Sequence, residues 1–266
     1  MQAIIGQFFG LFLFFIIFTP LERYFALRQE QKIFRQGWLT DATYFLLNRF
    51  MVDSVSFVII VVLAIVWHWM ISPNFQVKVA AQSTWLQFIE ALLLIEVLGY
   101  FYHRWSHSSP LLWKFHSIHH SSPQMDWLAA ARGHPFDQIF ARVFFFVPFY
   151  VIGFNEKTLG GFVFILALNG IYLHSNVRFR FKILRWLIVT PEHHHWHHSN
   201  DIEARNKNFS AIFPFMDMIF GTLYLPKNKI PQTYGVSENV PKGFLGQLKY
   251  PFGKLRLRRA KTNFIY

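Results

Sequence analysis

Cysteine is absent from this chain and charge is scarce. Asp, Glu, Lys and Arg make up 15% of the residues, against about a quarter in an ordinary soluble domain. Without thiols there is no disulfide framework, no Cys-ligated zinc, no iron–sulfur cluster and no thiolate-ligated haem. Acids are the scarcer charge: 14 Asp and Glu stand against 26 Lys and Arg, a formal net charge of +12. Glycine-rich nucleotide and phosphate loops, G-x-S-x-G and H-E-x-x-H are missing too, which excludes those routes to nucleotide, serine-hydrolase and zinc-protease chemistry. What the chain has is apolar bulk: 53% hydrophobic and 20% aromatic residues, 33 of them Phe, with a mean hydropathy of +0.25. So little polar surface points to a membrane protein, and in that setting a basic balance marks loops at anionic headgroups rather than nucleic acid. Thirteen His among 266 residues are the feature left to explain.

Apolar stretches near the length of a bilayer crossing run at about Ala3–Thr19, Tyr44–Ile71 and Leu86–Tyr102. A further pair, about Ile139–Phe154 and Leu159–Leu173, is divided only by Gly153, Asn155, Glu156 and Lys157. That pair reads as a short-armed hairpin or as two full spans, so the count is four or five. Only Met1 and Gln2 precede the first stretch and no A-x-A site follows it, so it reads as a retained span rather than a cleaved signal. With five spans, all Lys and Arg other than Arg49, Lys78, Arg142 and Lys157 fall on one side. The positive-inside rule then places the N-terminus outside and the C-terminus in the cytoplasm. The basic tail Lys254–Lys261 reads as a headgroup-binding segment or as plain solvated charge.

Twelve of the His lie between His103 and His198, at the cytoplasmic ends of those spans. His103 and His107 form H-x3-H. His116, His119 and His120 form H-x2-H-H, and so do His194, His197 and His198, with His193 and His195 alongside. His134 and His174 stand alone. On a helix, positions i, i+3 and i+4 share a face, so each group presents two or three imidazoles to one point. Neutral imidazole suits iron, zinc, copper and nickel, and eight to ten of them suit two metal ions. His174, ending the last span, reaches the layer of His103. His134, ahead of Pro135, reads as a further ligand or as a turn residue behind the ligands. His195 points away from His194, His197 and His198. His68, between Trp67 and Trp69, reads as part of an interfacial aromatic belt.

The chain resembles the sterol desaturase/fatty acid hydroxylase superfamily over roughly Leu92 to Leu225. The matching text is Tyr102-His-Arg-Trp-Ser-His107, Leu112-Trp-Lys-Phe-His-Ser-Ile-His-His120, Arg132-Gly-His-Pro135 and Thr190-Pro-Glu-His-His-His-Trp-His-His198, then Lys207-Asn208, Asp217 and Phe220-Gly-Thr222. Met216 stands where the family often has Trp, and Phe209-Ser210 where it has Tyr-Gly. The resemblance implies an all-α integral membrane protein with a cytoplasmic His-rich helical cap. Its parts would be N-terminal spans and a basic loop at 1–90, a hydroxylase-like catalytic region at 91–225 and a basic tail at 226–266. It implies two iron ions, with zinc able to substitute, that use O2 and two electrons to hydroxylate or desaturate a lipid C–H bond. The ligands it implies are His103, His107, His116, His119, His120, His194, His197 and His198, joined by His174 and His134.

With no Cys and no flavin or haem signature, the electrons would come from a separate donor, a ferredoxin- or cytochrome-type protein. The substrate would be a sterol, fatty acyl, ether lipid or carotenoid drawn from an inner, plasma or endoplasmic reticulum membrane, with no nucleic acid partner. Two other classes compete. A zinc or nickel transporter should hold ionisable groups near mid-membrane, yet Arg49, Asp53, Glu90, Glu96 and Arg142 read as lying mostly near span ends. A bis-His haem carrier is the other. Asn208-Phe209-Ser210 is a glycosylation sequon on the face expected to be cytoplasmic.

Overall fold

The computed structural model describes residues 2–178 and 183–253. The basic segment Lys254–Lys261 lies outside the described residues. Those residues are helical: α1 Gln2–Tyr24, α2 Trp38–Trp67, α3 Pro73–Ala80, α4 Thr84–Ser108, α5 Pro110–His120, α6 Pro135–Ile152, α7 Glu156–His174, α8 Pro191–His197, α9 Phe215–Ile219 and α10 Phe244–Lys249. Among the described residues, only isolated bridges, such as Ser199 with Tyr234, pair extended backbone.

Five of the helices, α1, α2, α4, α6 and α7, are long and apolar enough to cross a membrane. The ambiguous pair of apolar stretches is therefore two helices, of 18 and 19 residues. Gly153 divides them at φ 103°, and a Cβ there would meet the Gln76 carbonyl at 2.8 Å, so the break needs glycine. Asn155 starts α7, its side chain accepting the Thr158 N–H at 2.8 Å. The outward faces remain apolar: Phe8, Phe9 and Phe12 on α1, and Phe57, Val62 and Ile65 on α2, are exposed. Such surface is matched by lipid rather than water. The chain is an integral membrane protein.

Inside the bundle, α2 lies along α6 through Ile60, Val147 and Val151. Ala91, Ile95, Phe149 and Phe162 join α4, α6 and α7. Phe14 and Phe18 of α1 and Ala42 of α2 pack on Trp127 and Leu128 of the 3-10 turn 127–131.

A buried ionic lattice ties the α1–α2 connection to that turn. Arg35 pairs with Asp41 at 2.7 Å and with Asp126, and Arg132 Nε donates to Asp41 Oδ1 at 2.5 Å. Removing one partner of such a buried lattice strands charge at about 3–5 kcal/mol. The lattice matters to the site because the Arg132 carbonyl holds one of the histidines.

Candidate metal centre

The last turns of α4 carry His103 and His107, a helical i, i+4 pair. Directly after them Ser109 caps α5 with Pro110 at its first position, and this short helix carries His116, His119 and His120. His174 ends α7. Helix α8 opens with Pro191 behind Thr190, whose hydroxyl and backbone N–H meet His193 Nδ1 at 3.0 and 3.1 Å. It supplies His194 and His197, and His198 follows as its C-terminal cap.

These elements bring nine imidazoles into two adjoining groups. One holds His103, His107, His116, His120 and His197. The other holds His119, His174, His194 and His198. The sequence clusters do not map onto the groups one to one. Helix α5 gives His116 and His120 to the first and His119 to the second, and α8 gives His197 to the first and His194 and His198 to the second. The groups touch where the His120 and His198 rings stack at 4.2 Å between centroids.

The hydrogen bonds behind the rings assign their tautomers. Nδ1 of His119 faces the Arg132 carbonyl at 2.8 Å, His174 that of Gly170 at 2.8 Å, His103 that of Phe209 at 2.9 Å and His197 that of Lys207 at 2.8 Å. His116 Nδ1 faces Asp137 Oδ2 at 3.0 Å. Carbonyl and carboxylate oxygens only accept, so each Nδ1 carries the hydrogen and each Nε2 keeps a bare lone pair. The Nε2 atoms of His119 and His174 nonetheless lie 3.2 Å apart. Two lone pairs at that distance repel unless a cation sits between them.

A proton is a poor candidate for that cation. Burial, with a smaller contribution from neighbouring imidazoles, holds His119 down at about 4 and His120, His194, His197 and His198 well below the ordinary histidine range. Neutral imidazoles with converging bare Nε2 atoms are the form that binds metal. His116 Nε2, buried and without a hydrogen-bond partner, fits the same role. The donor set therefore suits borderline divalent ions such as iron.

Of the ten histidines expected as ligands, His134 alone is not brought to either group. It caps α6: its Nδ1 accepts the Phe136 N–H at 3.1 Å and its Nε2 meets the Leu248 carbonyl at 3.1 Å. His195 points elsewhere, as its spacing suggested, with Nε2 on the Ser175 carbonyl at 3.1 Å and the Tyr234 hydroxyl on Nδ1 at 2.9 Å. His68 is exposed beside Trp69. Glu96, read from sequence as a residue near a span end, is fully buried within α4 and accepts the Ala211, Ile212 and Phe213 N–H groups.

Sequence reasoning missed Asp137. Its Oδ1 accepts the Tyr102 hydroxyl at 2.6 Å while Oδ2 holds His116. A carboxylate three positions past His134, in a chain with so few acids, was a usable signal. The backbone acceptors at Lys207, Phe209, Arg132 and Gly170 left no such signal, because every residue has a carbonyl.

Residues 88–222, half of the chain, match the fatty acid hydroxylase family model, and all nine clustered histidines fall inside that span. Among curated proteins, ornithine lipid hydroxylase OlsE of Rhizobium tropici is 30% identical over 168 residues, 63% of this chain and 51% of that protein. Alkylglycerol monooxygenase of Xenopus tropicalis is 24% identical over 156 residues, 59% of this chain and 33% of that protein. The human alkylglycerol monooxygenase is 27% identical over 161 residues, covering 59% and 34%. The chain thus spans between a third and a half of the length of these relatives. No solved structure matches it. By the family match and the His groups within it, the chain belongs to the fatty acid hydroxylase family, in the sterol desaturase/fatty acid hydroxylase superfamily.

Proposed function

We propose that the chain is a membrane-bound, O2-dependent oxygenase that hydroxylates or desaturates a C–H bond of a lipid, with two iron ions held by the nine clustered histidines. The observation that carries the reading is the convergence of neutral imidazoles whose Nε2 atoms face one another at 3.0–3.2 Å, five of the nine rings having Nδ1 tied back to an acceptor. His103, His107, His116, His120 and His197 would hold one ion, and His119, His174, His194 and His198 the other. When bound, the ions supply O2 activation and the oxidising power to break an unactivated C–H bond.

The protein's own residues supply orientation and dryness. The anchors on Nδ1 fix ring rotation and tautomer at five positions. Tyr102 donates to one oxygen of Asp137 and leaves the other aimed at His116. The Phe209 ring lies against His103, His107 and His197 at 5.3–5.7 Å between centroids, an apolar wall that keeps water from the five-histidine group. The named activities of the relatives, on ornithine lipid and alkylglycerol, support a lipid with a polar head and a long apolar chain as substrate class. The charge bias supports a cytoplasmic cap, where a separate ferredoxin- or cytochrome-type donor would deliver electrons.

The transporter reading finds no support in the relatives, and the clustered histidines gather at helix ends. The test is metal analysis of purified protein together with lipid profiling of cells with and without the gene. About two irons per chain, no haem absorbance and a lipid heavier by one oxygen, or poorer by two hydrogens, are expected. Protein that binds no iron and leaves the lipid profile unchanged overturns the reading.

A further inference from the structure

We infer that Asp217 is a positioning residue for the five-histidine group, acting on His103 through a single peptide unit. The inference rests on the reading of that group as a metal site.

Asp217 is 1% exposed. Its Oδ2 accepts the Ser210 N–H at 2.9 Å, and the carbonyl of that same peptide unit, Phe209 O, accepts the His103 Nδ1 hydrogen at 2.9 Å. Asp217 Oδ1 takes the Phe209 N–H at 2.8 Å and the Thr222 hydroxyl at 2.6 Å, so both oxygens are fixed in place. A carboxylate on the N–H end of a peptide polarises it and adds negative charge to its carbonyl oxygen. His103 therefore meets a stronger acceptor than an ordinary carbonyl, and a stronger acceptor at Nδ1 makes Nε2 the better metal donor.

Asp137 does the same to His116 directly. Two of the five histidines in that group are thus backed by carboxylates, one of them through a relay. In the other group, the anchors on His119 and His174 are the backbone carbonyls of Arg132 and Gly170. The consequence is a pair of unequal metal positions, with the five-histidine group the more electron-rich.

The same loop contains a matched control. Glu96 grips it equally hard, taking the Ala211, Ile212 and Phe213 N–H groups at 3.2, 2.7 and 3.0 Å. Among the carbonyls of those peptide units, Ala211 O serves Asn169 Nδ2 and Ile212 O serves the Val189 N–H, and no histidine anchor is among them. Glu96→Gln removes a loop-holding charge without a relay to a ligand. Asp217→Asn removes one with it.

The experiment titrates metal-free full-length protein with Co(II) alone and follows calorimetric heat and ligand-field absorbance. Wild type should bind two ions. Asp217→Asn should weaken one of them by about 10- to 100-fold and leave the other at wild-type affinity, while Glu96→Gln lowers thermal stability and leaves both affinities unchanged. Wild-type affinity for both ions in Asp217→Asn, or equal weakening in the two variants, overturns the relay and leaves the metal reading standing. A wild type that binds no ion removes both. If Asp217→Asn does not fold, the relay is read in wild type by 15N-histidine NMR of the zinc-loaded protein. The His103 Nδ1–H resonance is expected downfield of that of His174, and an equal or upfield position overturns the inference.

Discussion

At the scale of single residues, chemistry separates His134 from His174 although both stand alone in sequence. His174 has Nδ1 tied to Gly170 and Nε2 facing His119 and His194. His174→Ala should lose the ion of the four-histidine group, visible as about half the metal content by elemental analysis. His134 has both nitrogens occupied outside the groups, so His134→Ala should keep full metal content and lose about 1 kcal/mol of stability with its cap. Metal loss in His134→Ala would return it to the site. Burial also holds His134 below its ordinary value. The unfolded chain therefore takes up the proton first as pH falls below about 6.5, and the stability that neutral His134 provides at neutral pH is lost on acidification. His134→Asn keeps a capping side chain without the titration. Its melting temperature should fall less than wild type's between pH 7 and pH 5, and an identical fall would show that His134 does not contribute.

At the scale of helices, two features that order the cap and the bundle invite direct tests. Gly153→Ala places a Cβ 2.8 Å from the Gln76 carbonyl at a positive φ. Strain of about 1–3 kcal/mol should appear as a lower melting temperature with metal content unchanged per folded chain. Asp41→Asn leaves the buried Arg35 and Arg132 short of a partner. It should cost about 3–5 kcal/mol and speed proteolysis of the 25–37 connection; resistance equal to wild type would mean that the lattice does not hold it. The helical repeat made the grouping of histidines on α4, α5 and α8 legible before any coordinates, because i, i+3 and i+4 share a face wherever a helix forms. The allotment of His119 to one group and His116 and His120 to the other was not legible. It depends on α4 bringing its histidines to one group and α7 bringing His174 to the other, a tertiary fact with no local signature. The structure puts His134 at the start of α6, where Pro135, which marked a turn, also marks a helix start and the side chain before it caps.

At the scale of the whole molecule, the proposal that the cap faces the cytoplasm rests on the charge bias of the sequence and can be tested directly. The lack of native cysteine makes the test simple. A cysteine introduced at Ser108, at the His-bearing end of α4, should resist a membrane-impermeant thiol reagent in intact cells and react after permeabilisation. Labelling in intact cells would invert the orientation. Length and hydropathy made the spans readable from sequence, but not their inner contacts: Ile60, Val147 and Phe149 look like any other apolar residue until packing separates lipid-facing from buried positions.

Helices α5 and α8 each give ligands to both groups, whereas α4 serves one group and α7 only the other. The spacing between two ions bound as proposed would then be set by two short helices outside the five spans. When the bilayer thickens or thins, α4 and α7 respond by tilting, and each moves one wall of one site. X-ray absorption of iron-loaded protein in short-chain and long-chain bilayers should therefore show an unchanged metal–metal distance, even where turnover differs between the two.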